Sequence, residues 1–164
     1  MLDNGAMRSY QVFASLPPER AREVLKAIAD ASPGAFLQAV AIASAALRAR
    51  PVFLMRQPFE KRADAVRRTL SRVAASDLAE ELLAVYFLQC QKPLLIEWLD
   101  LVGLEHEDGA LKGESPPSPP PDVLAKAVAA FRKPDDAADR ELLLRAFAAQ
   151  SAIHWPALEA QFGG

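Results

Sequence analysis

The sequence has little cysteine, aromatic residue or glycine, and each shortage excludes a class of protein. Cys90 is the only cysteine, so no disulfide can form within the chain. Aromatic residues make up 7% of the 164 residues and alanine is abundant, which favours closely packed helices over sheets. Seven glycines, two of them the last residues, leave little material for glycine-rich loops that bind phosphate.

Long hydrophobic runs are also missing. The longest run, residues 35–47, is too short to cross a bilayer and contains Gln38. The first residues do not combine a basic start with an apolar run, so no signal peptide is predicted. Together with the single cysteine, these features predict a soluble, cytoplasmic protein without a membrane partner.

Sequence motifs of catalysis are absent as well. The chain contains no nucleophile elbow, no P-loop, no dinucleotide-binding glycine motif and no zinc-protease motif. We therefore assign no catalytic residue and no cofactor, and an enzyme is the less favoured class. Hydrophobic residues make up 51% and charged residues 24%, an ordinary composition for a soluble globular domain.

The chain does contain a succession of helix signals. Prolines that can occupy a first helical turn stand at positions 18, 33, 58 and 156, and apolar residues recur at helical spacing between them. We predict an all-α fold, an irregular single-domain bundle of seven to nine helices over residues 1–164. A Pro-rich connector, residues 113–121, interrupts it, and its stiffness favours a spacer over a ligand for proline-binding domains.

Three helical segments carry sharper predictions. The row Ala35, Ala39, Ala43 and Ala46 predicts a helix that its neighbours approach closely, and hence a central one. From Pro58 onwards, one apolar stripe is predicted to be buried and comprises Phe59, Ala63, Val66, Leu70 and Val73. Two apolar helices at about 77–91 and 93–102 are predicted to form the core, with Asp77 capping the first.

The segment Leu104–Gly109, LEHEDG, combines one histidine with three carboxylates. Asp-Gly is a preferred pair for a two-residue type I′ turn. With the turn at Asp108-Gly109, His106 faces Leu111, and Glu105 faces Lys112. We therefore predict a small β-hairpin at 105–112.

A metal or small-ligand site is the alternative interpretation of this region. Its candidate residues are Glu97, Asp100, His106 and Asp108, since mixed imidazole and carboxylate ligands suit divalent metals. Their spacing does not match a known ligand motif, and consecutive residues point in different directions. This hypothesis requires the four side chains to converge on one pocket.

The charge is unevenly distributed along the chain. Residues 1–75 hold 12 Lys/Arg against 6 Asp/Glu, whereas residues 76–164 hold 7 against 15. The candidate partner-binding or nucleic-acid-binding residues in the basic segment 48–72 are Arg56, Lys61, Arg62, Arg67, Arg68 and Arg72. The whole chain is slightly acidic, so a solvated helix face is favoured over a nucleic-acid site.

The separation of basic and acidic regions suggests association with another macromolecule. Complementary charge steers protein association. The leading hypothesis is a non-enzymatic protein-interaction or scaffold domain that binds another protein or itself. The alternatives are an enzyme or ligand binder using the acidic cluster at 97–108, and a weak nucleic-acid binder using 48–72.

Overall fold

The computed structural model describes residues 7–113, 115–134 and 136–162. Within these ranges it contains ten α-helices and one two-stranded sheet, which confirms the predicted all-α fold. The number of helices exceeds the predicted seven to nine because even the segments of four, five and seven residues form helices. The chain divides into two compact units, residues 9–90 and residues 91–162 with Met7 and Arg8. The assignment of all 164 residues to one domain stays a prediction.

The amino-terminal unit, residues 9–90, is entirely helical in its regular structure. Its elements are α1 Ser9–Ser15, α2 Pro18–Ala31, α3 Pro33–Ala46, α4 Pro51–Met55, α5 Phe59–Leu70 and α6 Ser76–Val85, followed by a π-helical turn at Tyr86–Cys90. Helices α2, α3 and α5 pack against one another. Their inward faces bury aliphatic side chains such as Val24, Leu25 and Val66, which removes their surface from water.

Helix α3 is less central than its alanines predict. Ala39 and Ala43 are fully buried where α3 packs against α2 and α5, but Ala46 is exposed. The alanine row continues to the last residue of α3, beyond the positions at which α2 and α5 bury it. In this unit, α2 and α5 cover one side of α3 and leave the opposite side exposed.

Two further helix details differ from the predictions. Helix α5 ends at Leu70 and the chain turns into a short 3-10 helix at Val73–Ala75, so Val73 is exposed instead of continuing the buried stripe. Helix α6 begins at Ser76, which places Asp77 inside the first turn and not at the cap. A carboxylate in the first turn still interacts favourably with the helix dipole.

The carboxy-terminal unit is helical apart from one hairpin and the connector. Its elements are α7 Lys92–Leu101, β1 His106–Glu107, β2 Ala110–Leu111, α8 Pro121–Arg132, α9 Ala137–Ala149 and α10 Pro156–Glu159. Trp98 lies at its core, with ring centroids 5.4 Å from Phe131 and 5.8 Å from Phe147. The Trp155 indole N–H donates to the carbonyl of Pro116 at 2.9 Å and so ties the Pro-rich connector to the helices.

The predicted hairpin is present in the predicted register. Strands β1 and β2 are antiparallel, with His106 opposite Leu111 and Glu107 opposite Ala110. Asp108 and Gly109 have φ values of 54° and 94°, as a type I′ turn requires of its two central residues. The amide of Lys112 donates to the carbonyl of Glu105 at 3.2 Å, which extends the pairing by one residue.

A membrane-spanning helix would need both length and a continuous apolar surface. In the described ranges, no helix has the combination that crossing a bilayer demands.

Candidate interaction surface

The exposed side of α3 carries no charge. Its exposed residues recur three or four positions apart and therefore share one helix face: Gly34, Leu37, Gln38, Ala41, Ile42, Ala45 and Ala46. Leu37 is 46% exposed and Ile42 is 39% exposed. A solvated helix face normally carries charged or polar residues. This face of α3 therefore lacks the composition expected of a surface that contacts water alone.

The next helix, α4, also directs large apolar side chains to solvent. Leu54 is buried and anchors α4, whereas Val52 is 61% exposed and Phe53 is 60% exposed. Helix α4 packs against α3, so the exposed side chains of the two helices belong to neighbouring elements. We call the exposed residues of these two helices, together with Arg48, Arg50 and Arg56, the α3–α4 surface. Exposed apolar patches larger than a few hundred Å² mark interaction sites, whereas single exposed apolar residues are common.

Three arginines complete the α3–α4 surface. Arg48, Arg50 and Arg56 are exposed, and within the described part of the chain their side chains have no hydrogen-bond or ion-pair partner. No aspartate or glutamate occurs between Asp30 and Glu60 in the sequence. The surface therefore has an uncompensated positive charge beside its apolar groups.

Arg48 also has an unusual backbone conformation. Its φ is 56°, in the left-handed region, and it follows α3 in a Schellman motif. In this motif the amide of Arg48 donates to the Ala45 carbonyl at 3.2 Å and that of Ala49 donates to the Ser44 carbonyl at 2.8 Å. Glycine usually occupies this position because an L side chain is strained there. The chain thus carries an exposed arginine at a position where its backbone is unfavourable.

The other basic residues predicted to bind a partner fall into two groups. Lys61 and Arg72 are exposed and, among the described residues, have no ion-pair partner. Arg62 instead lies over the rings of Phe36 and Phe59, 5.8 Å from each centroid. These contacts hold its guanidinium against the helix pair α3 and α5.

Arg67 and Arg68 share one carboxylate. The Oδ1 atom of Asp64 is 2.8 Å from Arg67, and its Oδ2 atom is 3.3 Å from Arg68. The hydrogen bond from Arg67 lowers the pKa of Asp64, against the opposing effect of partial burial. Of the six basic residues predicted from the sequence, three are thus occupied within the unit and Arg56 alone belongs to the α3–α4 surface.

The acidic candidates of the carboxy-terminal unit pair in three different ways. The structure brings Asp100 and His106 together, with 2.8 Å between Oδ1 and Nε2. The His106 Nδ1 atom accepts the amide hydrogen of Gly109 at 3.1 Å. Because Nδ1 is an acceptor, the neutral ring carries its proton on Nε2 and donates it to Asp100. His106 therefore connects the hairpin turn to the end of α7.

The other two candidates have separate partners. Asp108 pairs with Lys92 at 2.8 Å, and both Glu97 carboxylate oxygens accept hydrogen bonds from Arg140. In the described ranges, no three His, Cys, Asp or Glu side chains are grouped as a metal site would require. The metal-site hypothesis stays a prediction, with Asp100 and His106 as the pair that the fold brings together.

Arg140 is the most heavily engaged charged residue of this unit. Its side chain is buried, donates to Glu97 and Asp136, and contacts the Phe131 carbonyl at 3.1 Å. Its guanidinium also lies 4.7 Å from the centre of the Phe131 ring. The carboxylates raise the pKa of Arg140 and Arg140 lowers that of Asp136, because each group stabilises the charged form of the other. This network joins α7, α8 and α9.

Sequence reasoning missed both Arg140 and the apolar part of the α3–α4 surface. The spacing of Asp136 and Arg140 by four residues is a visible helical signal. The contact with Glu97 spans 43 residues and has no sequence signal. The exposed face of α3 had a signal in the apolar composition of the whole helix, but only its alanine row was interpreted, as a site of close helix packing.

Comparison of this sequence and structure with known proteins identifies no relative. No family model matches the sequence, and neither the curated proteins nor the solved structures show a significant similarity to it.

Proposed function

We propose that this chain is a protein-interaction domain that binds its partner through the α3–α4 surface. The observation that carries the proposal is the uncharged, exposed side of α3 beside the exposed Val52 and Phe53 of α4. Burial of apolar surface is the main driving force of protein association. Burial of these side chains by a partner would therefore stabilise the complex, and it would do so with residues that contribute little to the fold of the unit.

The composition of the surface supports a protein partner. Protein interfaces are enriched in aromatic residues, methionine and arginine, and depleted in lysine, glutamate, aspartate, serine and alanine. The exposed alanines of α3 depart from this pattern. The α3–α4 surface contains Phe53, Met55 and three arginines, and none of its residues is a lysine or a carboxylate. Arginine is among the residue types that commonly provide most of the binding energy of an interface.

A cytoplasmic location belongs to the same proposal. It is supported by Cys90, the single cysteine, which provides no intramolecular disulfide of the kind common in oxidising compartments. Self-association is one form of the proposal, because the chain carries both a basic and an acidic region. Nucleic acid is not the proposed partner, since Arg62, Arg67 and Arg68 already have contacts within the unit.

Affinity capture with matched variants tests the proposal. The full chain, its Leu37→Glu/Phe53→Glu variant and its Val73→Glu variant are immobilised and exposed to an extract of cells that produce the protein. Val73 is 56% exposed but belongs to the turn between α5 and α6, so it controls for added charge on an exposed apolar residue.

We expect the wild type and Val73→Glu to retain the same protein, and Leu37→Glu/Phe53→Glu to lose it. Circular dichroism should show unchanged helix content, because all three side chains are exposed. Equal retention by the three proteins would contradict the proposal. A captured species that nuclease treatment removes would support the nucleic-acid alternative instead.

A further inference from the structure

The shape of the α3 face limits what can cover it. Leu37, Ala41 and Ala45 form one row at four-residue spacing, and Gln38 and Ile42 form the next. Rows of this kind are the ridges and grooves into which a second helix packs. The alanines between the larger side chains let another backbone approach closely. Helix α3 has 14 residues, so its face is about 20 Å long.

The position of the arginines adds a charge requirement. Arg48 and Arg50 follow directly after the carboxyl end of α3, and Arg56 ends α4. The positive charge of Arg48 and Arg50 therefore lies at one end of the α3 face, and that of Arg56 lies at the end of α4, which packs against α3. Guanidinium groups favour carboxylates, with which they form paired hydrogen bonds. A segment that binds the α3 face would therefore bind most tightly if its carboxylates were concentrated at this end.

We infer that the partner segment is an acidic amphipathic helix that lies along α3, with its carboxylates beside Arg48, Arg50 and Arg56. The inference rests on the proposed function and specifies the chemistry of the partner. The helix needs an apolar stripe of about four turns to match the length of α3. Negative charge at the end that meets the arginines completes the match.

An anionic membrane surface fits these observations less well than a helix does. Membrane-bound helices carry lysine and arginine along the polar face that borders the lipid. Here α3 itself carries no cation, and the three arginines follow it in the chain. A helix can pack closely against the row of alanines on α3. A flat layer of lipid headgroups cannot.

Binding of designed peptides to the full chain tests the inference. Three labelled peptides of about 20 residues are long enough to form helices. The first is amphipathic with three glutamates at one end, the second has lysines in place of the glutamates, and the third is a scrambled sequence of the first. Fluorescence anisotropy measures Kd at low and at high salt.

Two charge variants of the chain complete the design. One reverses the arginines of the surface: Arg48→Glu/Arg50→Glu/Arg56→Glu. The matched control makes the same change of charge at exposed cations elsewhere: Arg72→Glu/Lys112→Glu/Lys126→Glu. Vesicles of neutral lipid with about one third anionic lipid serve as the membrane probe.

We expect the glutamate peptide to bind the wild type and the control at least tenfold more tightly than the lysine peptide does, because the three arginines attract the glutamates and repel the lysines. The arginine-reversed variant should prefer the lysine peptide. The scrambled peptide should bind at least tenfold more weakly than the glutamate peptide. High salt should reduce the difference between the glutamate and lysine peptides.

Three outcomes would overturn the inference: equal binding of the three peptides, binding of none of them, or binding of the wild type to the vesicles instead of to the glutamate peptide. The proposed function fails separately, when Leu37→Glu/Phe53→Glu retains the same cellular protein as the wild type. If the cellular partner depends on Leu37 and Phe53 but not on the three arginines, the inference fails and the proposed function stands.

Discussion

Arg48 has, at the end of α3, the left-handed backbone conformation that Gly103 has at the end of α7. Their φ values are 56° and 72°, and both residues occupy the same position of a Schellman motif. At Gly103 the amide of the following residue, Leu104, donates to the Leu99 carbonyl at 3.0 Å. Glycine adopts this conformation without strain, whereas arginine does not. The arginine at the end of α3 thus costs stability, and the proposed binding surface supplies a reason for its presence.

Replacement of Arg48 by glycine should stabilise the amino-terminal unit while it weakens binding. Glycine relieves the strain of the left-handed conformation, and this effect outweighs the free-energy cost of glycine's greater backbone freedom in the unfolded chain. We therefore expect the free energy of unfolding to rise by about 0.5–1 kcal/mol. Hydrogen exchange of the α3 amides measures the stability of this unit. Peptide binding measured on the same variant should become weaker, because one cation of the α3–α4 surface is lost.

The converse substitution, Gly103→Ala, is the matched control. Apart from Gly103 itself and its two chain neighbours, no atom of the described residues lies within 4 Å of a Cβ placed there, so the cost comes from the backbone alone. We expect a loss of about 1 kcal/mol in the carboxy-terminal unit and no change in peptide binding. A destabilised Arg48→Gly variant would contradict the strain argument.

Glu97 should matter more for stability than Asp100, although both are carboxylates of α7. Removal of Glu97 takes two hydrogen bonds from the buried Arg140 guanidinium. We expect Glu97→Ala to lose about 1–3 kcal/mol, less than for a fully buried pair because Asp136 remains. Asp100→Ala should lose less than about 1 kcal/mol, since its side chain is well exposed.

Tryptophan fluorescence during urea unfolding is suited to this comparison. The two tryptophans, Trp98 and Trp155, both lie in the carboxy-terminal unit, so the signal reports on the unit that contains Glu97. Equal losses for the two variants would show that the Arg140 network contributes nothing beyond an exposed ion pair.

The pKa of Asp136 makes the stability of the carboxy-terminal unit sensitive to acid. The hydrogen bond from Arg140 lowers this pKa from the ordinary value of 3.8. A lowered pKa means that ionised Asp136 stabilises the fold above its unfolded pKa, and that this contribution is lost as the pH falls through the folded pKa. Asp136→Asn should therefore be less stable than the wild type near neutral pH, and the difference should shrink in strong acid.

Urea midpoints measured near pH 7 and at about pH 3 give this comparison. Glu107→Gln is the control, because Glu107 is exposed in the hairpin and has no side-chain partner in the described part of the chain. Its midpoints should follow those of the wild type at both pH values. If Asp136→Asn differs from the wild type by the same amount at both pH values, ionised Asp136 does not stabilise the fold through its lowered pKa.

His106 should protect the turn amide of the hairpin. Its Nδ1 atom accepts the hydrogen of the Gly109 amide, and Gly109 is buried. We expect His106→Ala to accelerate hydrogen exchange at Gly109 by about fivefold, as loss of a hydrogen bond worth about 1 kcal/mol implies. Lys112→Ala is the control, since Lys112 contributes its backbone amide and not its side chain to the hairpin. Unchanged exchange in His106→Ala would mean that the turn is stable without the imidazole.

Local sequence signals predicted more of this protein than long-range ones could. The proline-initiated helices and the hairpin register depend on residues close together in the chain, and Asp108-Gly109 set the register alone. The pairing of Glu97 with Arg140 depends on how helices far apart in sequence pack, which no local pattern encodes. For α3, the row of alanines indicated close packing with a neighbouring helix, but it could not indicate which side of α3 the other helices of this chain cover.

Photo-cross-linking from Phe53 tests the central claim most directly. A photoreactive phenylalanine analogue at position 53 samples the α3–α4 surface, and the same analogue at Val123, which is 45% exposed on α8, samples an apolar site outside it. In cells that produce the protein, we expect position 53 to give a specific protein adduct that position 123 does not give. The same adducts from both positions, or no adduct from position 53, would contradict the proposal that this surface binds a protein.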